Sequence, residues 1–240
     1  MLINLTGKPI NCRHTETNKL EIVNSRVNAT RVLQAAVNKL QHKPALWINA
    51  SAASIYGQHP EVLMTEEDSI RGEDFSAVIA QKWEAAFFQE ETVNIRKVAL
   101  RISLILGKTG GVFPVFKKLA SFGLGGKMGN GKQKFGWVHI DDVIRMVDFI
   151  IQNDSISGPV NCISPNTPTN QEFMKSLRKA LKMPFGLPQP KFLLDIGAVF
   201  IGMESDLILS SIYAYPKRLI DNGFKFKFEN CQEALNDLSK

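Results

Sequence analysis

The chain is poor in the residues that would hold it together covalently or through a metal. Its 240 residues include only three cysteines, Cys12, Cys162 and Cys231, odd in number and far apart, and four histidines. That argues against a disulfide framework, against a structural zinc site and for a reducing compartment. Long apolar runs are missing too, and none reaches the roughly 20 residues that span a bilayer. The first residues carry neither a charged n-region nor an Arg-rich leader. These absences point to the cytoplasm and away from a membrane, with mitochondrial import left open. Charge of one sign is not concentrated either. The net charge is +6, but Lys and Arg are dispersed among Asp and Glu, which argues against a nucleic-acid partner and leaves room for a small anionic ligand. The opening segment Leu2-Ile3-Asn4-Leu5-Thr6-Gly7 has no glycine-rich phosphate loop upstream, and the glycines between Gly123 and Gly131 lack the strand and helix that such a loop needs.

What is present suffices for a core: 44% of the residues are hydrophobic. Elements alternate as in a parallel sheet with helices on both faces. A strand at Leu2–Leu5 feeds a helix in which Ile22, Ala29, Leu33, Ala36 and Leu40 share a face, stopped by Lys43-Pro44. Ala45–Ser51 is apolar enough to be buried on both sides. Asp74 caps a helix from Phe75 to about Phe88, Val98–Ile102 is the next buried strand, and Val143–Ile151 and Pro159–Ile163 continue the pattern. After residue 165 the character changes, with Pro184, Pro188 and Pro190 leading into helical runs that end in Leu235 and Leu238. The expectation is a partial, doubly wound Rossmann-like sheet over 1–165, with a loop on the substrate side near 108–136, and a small, mainly helical lobe over 166–240.

Four segments occur in an informative order: Asn4-Leu5-Thr6-Gly7, Ser51-Ala52-Ala53-Ser54-Ile55-Tyr56-Gly57, Leu100-Arg101-Ile102-Ser103, and Gly129-Asn130-Gly131 leading to Trp137-Val138-His139-Ile140-Asp141-Asp142. Together with Pro216-Lys217-Arg218-Leu219 and Gly223-Phe224-Lys225-Phe226, they resemble the extended short-chain dehydrogenases/reductases, in particular the atypical "epimerase family protein" branch. The resemblance covers essentially the whole chain. It implies an NADP- or NAD-dependent oxidoreductase or epimerase acting on a small molecule. It also places Leu2–Leu5 at the fourth strand of the 3-2-1-4-5-6 order. The expected consequences are cofactor binding weakened in this chain and self-association through an exposed sheet edge. The alternative is a non-catalytic scaffold or interaction protein retaining the fold.

The resemblance also locates a site. Relatives use a Ser or Thr at the end of the second strand here and a Tyr and Lys four residues apart on the next helix, where Tyr moves a proton and Lys lowers its pKa. This chain has Ser76 and Ala80 at those two positions, and Ala52 at that of the Ser or Thr. Lys82, two residues on, is turned roughly 200° away. The candidates are therefore Ser51 and Arg26 for catalysis, Arg26 replacing the usual Asn, and Thr6, Gly7 and Ser51 for the cofactor. Arg101 and Lys132 are the candidates for an anionic substrate. Tyr56 reads as a structural hydroxyl, Asp141 or Asp142 as a helix cap or first-turn carboxylate, and no metal ligands are assigned.

Overall fold

The computed structural model describes residues 1–89, 94–195 and 209–240. In chain order the elements are β1 (Leu2–Asn4), α1 (Glu16–Asn38), β2 (Leu46–Ala52), a 3-10 turn (Ala53–Tyr56), α2 (Phe75–Phe88), β3 (Arg96–Ile102) and β4 (Leu104–Leu106). There follow α3 (Phe113–Ser121), β5 (Trp137–His139), α4 (Ile140–Gln152), β6 (Gly158–Cys162), α5 (Asn170–Ala180), α6 (Lys217–Asp221) and α7 (Cys231–Ser239). The main sheet is parallel throughout, in the order β1-β2-β3-β6, and β4 pairs with β5 in a separate parallel pair.

Strand alternation divides the core in two. Leu46 and Ile48 of β2, with Val98 and Leu100 of β3, pack against Met146 and Ile150 of α4. The intervening Trp47 and Ala99 face Val37 of α1 and Phe87 of α2. Helices on both faces make the sheet doubly wound, as the Rossmann-like reading expects. The same alternation puts Asn49 and Ser51 on the side of α1 and α2. Register then aligns Ser51 with Arg101 and Arg101 with Asn161, so three polar side chains stand in one row across β2, β3 and β6. A further core joins Leu106, Phe113, Phe116 and Trp137 to Phe173 of α5 and Leu235 of α7.

Helix starts follow capping chemistry. Thr15 and Asp74 accept from the backbone N–H of Asn18 and Ala77 at the heads of α1 and α2. Helix α4 begins three residues before Val143 because the His139 ring accepts from Asp141 N, which leaves Asp141 and Asp142 in the first turn. The buried face of α1 also differs from its apolar pattern. Ile22, Thr30, Gln34 and Val37 are buried, whereas Leu40 lies beyond the helix and Ala36 is exposed. The helix is rotated because Thr30 Oγ1 accepts from Trp83 Nε1 at 3.1 Å and Gln34 Oε1 accepts from Lys97 Nζ at 3.3 Å. Among the described residues no helix is long and apolar enough to cross a membrane, and no cluster of His, Cys, Asp and Glu is placed to hold a metal.

Candidate functional site

A cavity of about 430 Å³ opens at the carboxyl ends of β2 and β3, where parallel α/β sheets bind ligands. Ala50, Ser51 and Ala52 come to it from β2, and Ile102, Ser103 and Leu104 from β3 and β4. Helix α2 adds Ser76, Ile79, Ala80 and Trp83, α1 adds Arg26, and Phe116, Phe135 and Ile212 close it from the far side. The wall is largely apolar, with a few polar groups at defined places, the usual make-up of a small-molecule site.

Ser51 is held from behind. Its Oγ donates to Glu84 Oε1 at 2.6 Å, and Glu84 is paired with Arg101 through Nε–Oε1 and Nη2–Oε2 contacts of 2.8 Å each. Burial alone would lower the Arg101 pKa, but the bonds and charge of Glu84, with Tyr56, outweigh it and hold it above the ordinary value. Arg101 is 1% exposed and is not among the cavity-lining residues. Tyr56, whose hydroxyl sits between Arg101 Nη1 and Asn161, is buried in the same network.

Arg26 is a different kind of cation. Its Nη1 donates to the carbonyls of Lys8 and Ile22 at 2.9 Å each, and its guanidinium carbon lies 5.1 Å from the Trp83 ring centroid. Among the described residues no carboxylate comes within ion-pair distance of it, and burial lowers its pKa. A half-buried guanidinium on an aromatic face with no counter-ion suits an anionic ligand. Gly7 serves it indirectly: a Cβ there would fall 3.0 Å from Arg26 Cζ. Thr6 is exposed, its backbone N–H donates to Asn4 Oδ1, and neither Thr6 nor Gly7 lines the cavity.

Lys132 lies on a second cavity, of about 470 Å³, that shares Gln58 and Ser211 with the first. Ser76 and Ala80 both face the main cavity while Lys82 is exposed on the other side of α2. His139 packs on Phe228 away from the cavity, with ring centroids 4.1 Å apart. Glu84 was not among the candidates read from sequence. Its signal is a lone carboxylate in the apolar tail of α2, matched by a lone arginine in the apolar strand Val98–Ile102.

The NAD dependent epimerase/dehydratase family profile matches residues 1–162, and a domain of unknown function, DUF1731, matches residues 189–238. The chain belongs to this epimerase family. It is 36% identical to the epimerase family protein YfhF of Bacillus subtilis, over 98% of this chain and 77% of that protein. With the epimerase family protein SERP0438 of Staphylococcus epidermidis the identity is 32%, over 100% of this chain and 79% of that one. The crystal structure of the human epimerase family protein SDR39U1 (isoform2) with NADPH superposes with a TM-score of 0.91 at 28% identity, covering 99% of this chain and 80% of the human one. These matches bear out the resemblance read from the ordered motifs, together with the Rossmann-like fold that it implies.

Proposed function

We propose that the chain is an NAD(P)-dependent oxidoreductase or epimerase of the atypical short-chain type, and that the cavity at the ends of β2 and β3 takes the nicotinamide end of the cofactor together with a small, anionic substrate. The observation that carries this reading is the pairing of Ser51, immobilised by Glu84, with Arg26, a cation that has no counter-ion among the described residues, on one largely apolar wall. The neighbour bound to NADPH supports it. The donor set fits an aromatic ring and its anionic or hydroxylated attachments. It contains no glycine-rich strand-to-helix turn, so none of the described residues is assigned to the pyrophosphate, and the affinity of this chain for a dinucleotide is correspondingly weak.

A nicotinamide held there by Arg26, Ser51 and the apolar wall would supply or take up hydride. Arg26 holds the anionic group, Ser51 orients a polar group of the ligand, and Ile79, Ile102 and Phe135 exclude water. Lys132, in the adjoining cavity, receives a second anionic part of the substrate. Thr6 and Gly7 support the cofactor side only indirectly, through the loop that seats Arg26, and Arg101 acts behind Ser51. Ser76 and Ala80 favour a second reading, a scaffold that binds without catalysis, because neither can move a proton as a Tyr–Lys pair does. The division into a nucleotide-binding part over 1–165 and a substrate-side lobe over 166–240 belongs to the same proposal, as does self-association along the open side of β1, where Ile3 is 38% exposed.

Titration with NADPH, followed by nicotinamide fluorescence and thermal shift, tests the reading. Saturable binding with a Kd of about 100 µM is expected. Absence of saturation favours the scaffold, and low-micromolar affinity refutes the weak binding. Sedimentation velocity tests the edge: a concentration-dependent dimer is expected in the native chain and a monomer in Ile3→Lys.

A further inference from the structure

Glu84 stands behind the cavity wall, and hydrogen-bond polarity gives it a role toward the ligand. A guanidinium only donates and an ionised carboxylate only accepts. Arg101 spends Nε and Nη2 on Glu84 and Nη1 on the Tyr56 hydroxyl, the last at 2.7 Å. Tyr56, having accepted from Arg101, donates to Asn161 Oδ1 at 2.9 Å. Asn161 is oriented in turn, its Nδ2 donating to the Tyr215 carbonyl at 2.9 Å and its backbone N–H to Glu66 Oε1 at 2.9 Å. Each bond in the row therefore runs one way. At the cavity end, Glu84 leaves Ser51 a single option, to give its proton inward at 2.6 Å. A serine that has done so presents only lone pairs outward. Ser103 on the same wall does likewise, its Oγ donating to the Cys162 carbonyl at 3.0 Å.

We propose that Glu84 is a specificity-determining residue: by holding the Ser51 proton it makes Ser51 a hydrogen-bond acceptor, so the ligand presents a donor there, a hydroxyl, amine or primary amide, and not a carbonyl oxygen. The inference rests on the reading of this cavity as a ligand site. A carbonyl at that point would meet lone pairs and stay unpaired, and sites built around one hydrogen-bond polarity discriminate strongly against analogues that cannot satisfy it. Because Glu84 is committed to Arg101 on both oxygens, the polarity is built into the fold before any ligand arrives.

Two probes of nearly equal shape, benzamide and acetophenone, differ in carrying an amide NH2 or a methyl group. Each is titrated into the full 15N-labelled chain while the amide resonances of Ala50, Ser51 and Ala52 are followed. The native chain is expected to bind benzamide at least tenfold more tightly, the equivalent of about 1.4 kcal/mol. Ser51→Ala should bind the two equally. Glu84→Gln offers Arg101 and Ser51 one acceptor oxygen in place of two, and with its NH2 in the place of Oε1, the oxygen that Ser51 shares with Arg101 Nε, it donates to Ser51 and releases the hydroxyl proton to the cavity. The preference should then fall to parity or reverse, which loss of packing alone would not produce. Equal binding by the native chain, or a preference that survives in Ser51→Ala, overturns the proposal, as does failure of both probes to move these resonances. Ser51→Ala keeps the test decisive should Glu84→Gln not fold. An NADPH titration of the same samples separates the two readings: a chain that discriminates the probes yet ignores NADPH refutes only the dinucleotide.

Discussion

Gly57 and Gly72 pass backbone to backbone at the cavity wall, so closely that a Cβ on Gly72 would lie 2.3 Å from Gly57 Cα and one on Gly57 2.4 Å from Gly72 Cα. Gly57 also has a φ of +74°, and Gly72 N–H donates to the Ile55 carbonyl at 3.0 Å. The contact ties the turn after β2 to the chain entering α2, and so fixes β2, which carries Ser51, beside α2, which carries Ser76. Gly72→Ala should destabilise the protein by about 3 kcal/mol, since two backbones would have to separate. Denaturant titration checks this; an unchanged midpoint at equal m would show that the crossing is looser than described.

Arg26 is expected to respond to charge and shape separately. Arg26→Ala should weaken the binding of a small carboxylate such as benzoate at least tenfold, and Arg26→Lys should recover little of it, because an ammonium can neither lie flat on Trp83 nor offer an anion the planar two-donor fork of a guanidinium. Full recovery in the lysine variant would reduce Arg26 to a point charge.

The Glu84–Arg101 pair predicts strong non-additivity. Arg101→Met leaves a buried carboxylate unpaired and should cost about 3–5 kcal/mol, whereas the double variant Arg101→Met, Glu84→Leu should cost clearly less. Chemical denaturation of both singles and the double closes the cycle. Additive losses would mean that the two side chains do not sense each other.

His139 gives stability a pH dependence. Burial lowers its pKa below the ordinary value of 6.5, with Lys227 acting in the same direction and Asp141, Asp237 and Asp142 opposing. The unfolded chain therefore binds the proton more readily. The contribution is fully present above about pH 6.5 and is lost as pH falls from there through the folded-state pKa. Thermal midpoints should drop more between pH 7.5 and 5.5 in the native chain than in His139→Asn, which keeps a capping side chain but cannot titrate. The comparison also cancels Glu66, whose pKa is raised, chiefly by burial, in both proteins. Parallel profiles would remove His139 as the source.

The repeating parts of the fold were legible in the residue order. An uninterrupted apolar run marks β2 because burial on both faces leaves no polar side to alternate with, and Asp74 announces α2 because an orphan N–H needs an acceptor. The face of α1 was not legible, since Thr30 and Gln34 are buried only by virtue of what Trp83 and Lys97 offer across the interface. Ser51 could be proposed from its place in an ordered motif, and Arg26 from its place where the resembled family has Asn. Glu84 could not, because nothing local relates a carboxylate on α2 to a serine 33 residues earlier.

By itself, then, the sequence determined the alternation of elements and the family, both of which are properties of residue type and order. Only the tertiary structure decided that Arg101 belongs behind the site rather than on its cavity wall, that Gly7 serves Arg26, and which way the Ser51 proton points. Those depend on strand register and helix rotation, which bring donors and acceptors from distant segments together.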